Sequence, residues 1–311
     1  MGSRQNGAIA ARLRFEKRLT MDPVDGDNPP TTSTLRIIAV GAPSRIWSWI
    51  QERGTARIVG PVATLGLFIT LWYLFSGVIM SPQRRFLVPP PHEVWSVSII
   101  DAGKRAELLD GLWVTTQVSL TGLFIAIAVG VTVATIMVAA SWIEVSLYPY
   151  AVLLQVIPIL AIVPLLGLLF GFDFRSRVIV SIMICLFPII TNTLFGLKSA
   201  DSEMHDLFSL QGASRATRFW KLQLPAALPA MFTGFRIAAG ASIIGSIVGD
   251  FFFRQGEPGL GILLDRYRAQ LRTPELYGAI FYSALLGIAF FSAFGWLARR
   301  TTGRWATTQA T

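Results

Sequence analysis

Few residues in this 311-residue chain have the types and spacing for covalent chemistry. His92 and His205 are its only histidines, and they fall on different predicted elements. Neither sits in an HExxH arrangement or beside a candidate nucleophile, so metal-assisted and nucleophile–base catalysis have little support. The single cysteine, Cys185, lies inside an apolar run and reads as a small buried hydrophobe. Residues 256–261, GEPGLG, have the glycine content of a phosphate loop but not the GxxxxGK[ST] order, and read as a turn. No Walker A loop occurs anywhere, so ATP hydrolysis is not expected on this chain. Arg236, inside an apolar run, would attract an anion. It could equally snorkel to water at the near end of its span, which is the preferred reading. Asp250 is about 21 Å further along at helical rise, so the two cannot pair within one helix.

The chemistry left is docking and movement, and one segment is suited to it. Residues 206–229, DLFSLQGASRATRFWKLQLPAALP, are polar and helix-forming, yet lie between runs long enough to cross a bilayer. Leu207, Phe208, Leu210 and Trp220 are apolar groups on an otherwise water-compatible stretch. Gly212 interrupts it, where a bend or a close approach is feasible. Pro225 and Pro229 are expected to stop the helix and redirect the chain. A partnerless amphipathic surface helix is the competing reading.

The elements around it are membrane spans. The composition is 53% hydrophobic and 14% charged, with mean hydropathy +0.56. Soluble domains carry about 25% charged residues, so a bilayer protein is indicated. Runs of about 20 apolar residues mark spans: 58–80, 113–140, 145–171, 178–197, 230–253 and 276–298. The expected fold is an all-α membrane protein of about six helices. Pro149, Pro158, Pro164 and Pro188 punctuate the spans, either lining a path or making packing kinks. Asn192 needs a partner, in the path or on a neighbouring helix.

The net charge of +9 carries no DNA- or RNA-binding signature with it, so nucleic acid is not an expected partner. Basic excess in a membrane protein gathers on the cytoplasmic side. Sixteen of the lysines and arginines fall on the side of the termini and ten on the other. Both termini and the 206–229 segment are therefore expected in the cytoplasm. Residues 1–55 read as a largely disordered tail with an interfacial helix at 44–53. Residues 56–300 form the membrane domain, and 301–311 a second tail.

Gly212, nine residues, then Leu222-x-Leu224-Pro225 resembles the EAA motif of permease subunits in bacterial ABC importers. Leu87-Val88-Pro89-Pro90-Pro91, Ile157-Pro158, Val163-Pro164, Phe187-Pro188 through Asn192, Thr233-Gly234-Phe235-Arg236, Val248-Gly249-Asp250 and Pro258-Gly259-Leu260-Gly261 also match that family's pattern. The resemblance covers about residues 85 to 305. It points to the branch handling nitrate, sulfonates, taurine and precursors of thiamine or riboflavin. Two positions depart: Asp206-Leu207-Phe208 stands where Glu-Ala-Ala would be, and Asp250 where the branch usually has Glu.

The resemblance implies a type I importer permease in the bacterial cell membrane, with a coupling helix at 203–225. It implies that Asp206, Leu207, Phe208, Gly212, Ala213, Ser214, Leu222, Leu224 and Pro225 engage an ATPase subunit, which would hold ATP and Mg. It further implies a second permease copy and an extracytoplasmic binding protein. Pro158, Pro164, Pro188, Asn192 and Arg236 are the candidates for the translocation path. No cofactor is expected on this chain. A secondary transporter is the alternative; it would need ionisable groups near mid-bilayer, which these spans almost lack.

Overall fold

A computed structural model describes residues 56–81 and 83–302. The tail at 1–55, its 44–53 helix and most of the C-terminal tail lie outside the described residues. The chain divides into two units, Met1–Ala63 and Thr64–Thr311. Of the first, only the opening turns of a helix are described.

The described residues form helices joined by short turns, with no strand among them. Helix α1 (Ala56–Leu74) runs into a π-helical turn, Phe75–Ile79. A short α2 (Pro91–Trp95) begins on a proline, whose missing donor the first turn does not use. Trp72 Nε1 bonds Pro89 O at 3.0 Å and Ser76 Oγ bonds Val88 O at 2.6 Å, stapling this connection to α1.

Helix α3 (Ala102–Ala139) starts well before the expected 113. Asp101 accepts from Gly103 N and Lys104 N, capping a polar first turn that hydropathy does not see. The expected single span at 145–171 is two helices, α4 (Ser141–Val156) and α5 (Ile159–Phe170), bent by 98°. The break falls at Ile157-Pro158, because proline lacks a donor and holds its predecessor extended. Helix α6 (Phe174–Lys198) follows.

A second correction concerns Pro225 and Pro229. Neither stops the helix. The short helices α7 (Ser202–Leu210) and α8 (Arg215–Arg218) lead through a π-helical turn, Phe219–Gln223, straight into α9 (Leu224–Phe253). The wider π turn sits just ahead of Pro225 and absorbs its missing donor. Pro229 lies inside α9. Helices α10 (Leu260–Ala269) and α11 (Thr273–Thr302) complete the chain.

Among the described residues, five stretches are long and apolar enough to cross a membrane, and a sixth if the bent α4–α5 pair is one span. Side-chain-free positions set the register between them. A Cβ on Gly196 would fall 2.8 Å from Ala227 O, and one on Gly245 2.7 Å from Ser181 Cα, so α6 and α9 run antiparallel at very close range. Gly122 meets Ser181 and Gly130 meets Ile189, so α3 and α6 run parallel. Two parallel helices in succession require α4–α5 to carry the chain back across the bundle. Leu123, Ala126, Cys185, Ile189, Ala238 and Ala239 fill the core of this three-helix seam.

The seam makes a prediction. Gly245→Leu should lower stability by about 1–3 kcal/mol, because the neighbour it meets is backbone and cannot yield. Thermal unfolding of purified protein in detergent measures it; an unchanged midpoint would mean the seam is looser than described.

Candidate functional site

The polar segment between α6 and α9 is ordered by its own caps. Asp201 accepts from Glu203 N at 3.1 Å and starts α7. Ala213 N bonds Phe208 O and Gly212 N bonds Ser209 O, each at 3.0 Å, closing α7. Gly212 sits at φ +66, and nothing lies within 4 Å of the Cβ it lacks. Glycine is needed there for the left-handed backbone, not for space. Ser214 then caps α8, accepting from Thr217 N at 3.1 Å. The expected single helix at 203–225 is therefore two short helices hinged at Gly212. The local sequence reason is that a polar α7 has no core face strong enough to carry it through a glycine.

The site residues divide by exposure. Asp206, Leu207, Gly212 and Ser214 are exposed, and Leu210 and Trp220 project at 86% and 66% exposure. Phe208, Ala213, Leu222, Leu224 and Pro225 are half-buried. Leu224 packs onto the bundle core beside Phe219 and Leu228. A cleft of about 300 Å³ separates Phe219, Trp220 and Leu224 from Val131, Thr132, Thr135 and Ile136 of α3. Lys198 Nζ binds both carboxylate oxygens of Glu144 at 2.7 Å, joining the start of α4 to the end of α6. The segment thus presents exposed apolar and charged groups outward, and is continuous inward with α9.

The path candidates do not converge on one cavity. Pro158 marks the α4–α5 break and Pro164 lies within α5. Pro188 and Asn192 sit together on α6: Asn192 Nδ2 bonds Pro188 O at 2.8 Å, within its own helix, beneath Gly234 of α9. Arg236 faces α11 instead. Its guanidinium lies 3.5 Å from the centre of the Phe291 ring, beside Gly295, with Nε buried and unbonded. The Phe291 ring face thus backs this half-buried cation.

The buried polar centre of the molecule escaped sequence reading. Arg177 Nη1 pairs with Asp250 Oδ1 at 2.9 Å, with 2% and 0% of the side chains exposed. The same guanidinium bonds Glu257 O at 2.9 Å and also Gln255 O. Asp250 accepts from Gly261 N at 3.2 Å, while Leu260 N bonds Thr115 Oγ1 at 2.8 Å. The 256–261 turn is thus a lid of backbone groups over an ion pair, which joins α3, α6 and α9. A cue was present: opposite charges at the ends of two apolar runs, on the same expected side. Sequence distance concealed it. No group of His, Cys, Asp and Glu suited to a metal occurs among the described residues.

A bundle of membrane-length helices, bearing an ordered polar helix pair at one end and a buried ion pair at the other, defines a multi-pass transport subunit. The family described as binding-protein-dependent transport system inner membrane component matches residues 125–303, and this chain belongs to it. Relatives include the formylaminopyrimidine transport permease protein ThiX of Halalkalibacterium halodurans, 31% identical over 73% of this chain and 88% of that protein. The riboflavin transport system permease protein RibX of Chloroflexus aurantiacus is 29% identical over 79% of this chain and 90% of its own length. The taurine transport system permease protein TauC of Escherichia coli is 27% identical, covering 82% of this chain and 92% of that one. The chain is an ABC transporter permease subunit.

The ion pair carries the next prediction. Asp250→Ala strands a buried guanidinium and should destabilise by about 3–5 kcal/mol. Replacing both partners, Arg177→Met with Asp250→Leu, should recover most of that. Melting curves of the single and double variants measure the difference; equal losses in both would show that the charge pairing is not what matters.

Proposed function

We propose that this chain forms the translocation path of an importer for a small solute, working as one of a pair of identical membrane subunits. ATPase subunits, which hold the ATP and Mg, dock on α7 and α8 from the cytoplasm, where both termini also lie. An extracytoplasmic binding protein delivers the solute at the other end of the bundle, in a bacterial cell membrane.

The observation that carries this reading is the continuity of α8 into α9. The part of the docking surface after Gly212 is one rod with a core helix, and a rod transmits displacement along its whole length. Closure of the ATPases would shift α7–α8 and tilt α9 between two packings of the bundle. In this mechanism Gly212 sets the angle of the docking surface, with Ser214 and Asp201 fixing its ends. Asp206, Leu207 and Phe208 contact the ATPase groove, while Leu222, Leu224 and Pro225 relay the movement into α9. Pro188 and Asn192 lie on the seam that must adjust, and the Pro158 break supplies a flexible element in the path wall.

For the solute, a heteroaromatic precursor of thiamine or riboflavin is the favoured class, supported by the relatives named for formylaminopyrimidine and riboflavin transport. An anionic solute is the second reading. It is favoured by Arg236, a half-buried cation with no carboxylate partner among the described residues. A secondary transporter is disfavoured because Asp250, the most buried carboxylate among the described residues, is already locked to Arg177.

Reconstitution of the permease with its ATPase in vesicles tests the coupling. Gly212→Val forces a β-branched residue into a left-handed conformation disfavoured by about 1–2 kcal/mol. Solute uptake should fall roughly tenfold or more while the protein still inserts; a loss of about 1.4 kcal/mol in docking is tenfold. Full uptake by Gly212→Val would sink the coupling role. Uptake of pyrimidine, flavin, taurine and nitrate compared side by side decides the solute class.

A further inference from the structure

Helix α1 parts from the bundle at one side chain. Trp72 is half-buried, its ring 5.6 Å from that of Tyr277 on α11 and its Nε1 bonded to Pro89 O. From Thr64 to Leu71, the turns before it, every residue of α1 is exposed. Nothing lies within 4 Å of the Cβ that Gly66 lacks, nor of the one that Gly287 lacks on α11. The two helices enclose a groove of about 970 Å³. Leu65, Phe68 and Phe75 line it from α1, Tyr277 and Ala284 from α11, and Trp95 from α2. Between Leu65 and Phe75 a helix rises about 15 Å, half the ~30 Å thickness of a bilayer's hydrocarbon core. The groove therefore has the depth of one leaflet.

Its walls and its volume restrict what fills it. They are almost wholly aliphatic and aromatic. Water would need about two to four polar partners there. A polar solute would need convergent hydrogen-bonding groups, and the indole N–H of Trp72 is already committed. A helix from a second copy is too thick: 15 Å of helix, 10–12 Å across with its side chains, takes up roughly 1,200–1,700 Å³. An acyl chain is slender, apolar and of leaflet length, and the surrounding bilayer supplies it. A cation also stands at the edge of the groove. Arg105 is exposed, and its Nη1 donates at 2.8 Å to the carbonyl of Ile99, another lining residue. A phosphate oxygen is the natural partner for such a guanidinium.

We propose that the groove between α1 and α11 is a resident phospholipid site, with an acyl chain packed between the two helices and its phosphate paired with Arg105. The lipid is then the packing partner that the 64–71 turns of α1 lack within the chain, and it sets the angle at which that span stands off α11.

The test uses the full chain purified in mild detergent, loaded with phosphatidylcholine and stripped by repeated detergent exchange. Mass spectrometry of the intact protein measures the phospholipid each chain retains. Ala284→Trp fills the groove and should retain about tenfold less lipid. Ile288→Trp, exposed on α11 but outside the groove, should retain as much as the unsubstituted chain. Arg105→Ala should lower retention by less than Ala284→Trp, because the acyl contact remains. A second readout leaves the groove unfilled: a benzoylphenylalanine photo-crosslinker in place of Phe68 or of Ile288. After stripping, lipid should attach at position 68 and not at 288. Equal retention by Ala284→Trp and the unsubstituted chain overturns the site, as does an unsubstituted chain that keeps no lipid. Crosslinking of position 68 to a second copy of the chain overturns it in favour of a subunit contact.

Discussion

The buried pair of Arg177 and Asp250 is the constraint around which the rest of the bundle is arranged. Two opposite charges removed from water are tolerable only when paired closely and surrounded by further hydrogen bonds. Here those bonds come from carbonyls of Gln255 and Glu257 and from the amide of Gly261, with Thr115 taking Leu260 N. Satisfying one ion pair therefore fixes the turn after α9, the start of α6 and a point on α3. Together with α9, which carries Asp250, these three elements cannot be displaced independently at that end without exposing a charge to apolar surroundings.

The opposite end is built on different physics. The 202–223 segment is held by local caps and by the left-handed Gly212, and its Leu210 and Trp220 project outward. Between the two ends, α6 and α9 approach so closely at Gly196, Gly234 and Gly245 that backbone meets backbone. Close packing of this kind resists continuous deformation and favours discrete alternatives. The bundle thus has a locally capped surface element and a locked polar knot, joined by one unbroken helix. That mechanical contrast suits a membrane subunit of a transport system.

The turn at Leu271 mirrors the turn at Gly212. Both end a short helix with a left-handed residue, but one uses the residue that fits and the other a residue that does not.

Much of the fold was legible in the amino-acid sequence, because hydrophobic length is written locally. The spans, the polar segment near Asp206 and the glycine at its bend follow from runs and spacing alone, and the family follows from their combination. What could not be read is everything set by contact between distant residues. The partners of Arg177 and Asp250, the Phe291 ring under Arg236 and the glycine seam depend on which helices lie side by side. The continuation of the helix through Pro225 depends on a π turn, and the break at Pro158 on a proline indistinguishable in sequence from those at Pro164 and Pro188. The sequence determined that this chain crosses a membrane and carries a polar, glycine-broken helical segment between two spans. The tertiary structure alone decided how the ends are tied together, because pairing energy in a low-dielectric interior depends on distance in space and not along the chain.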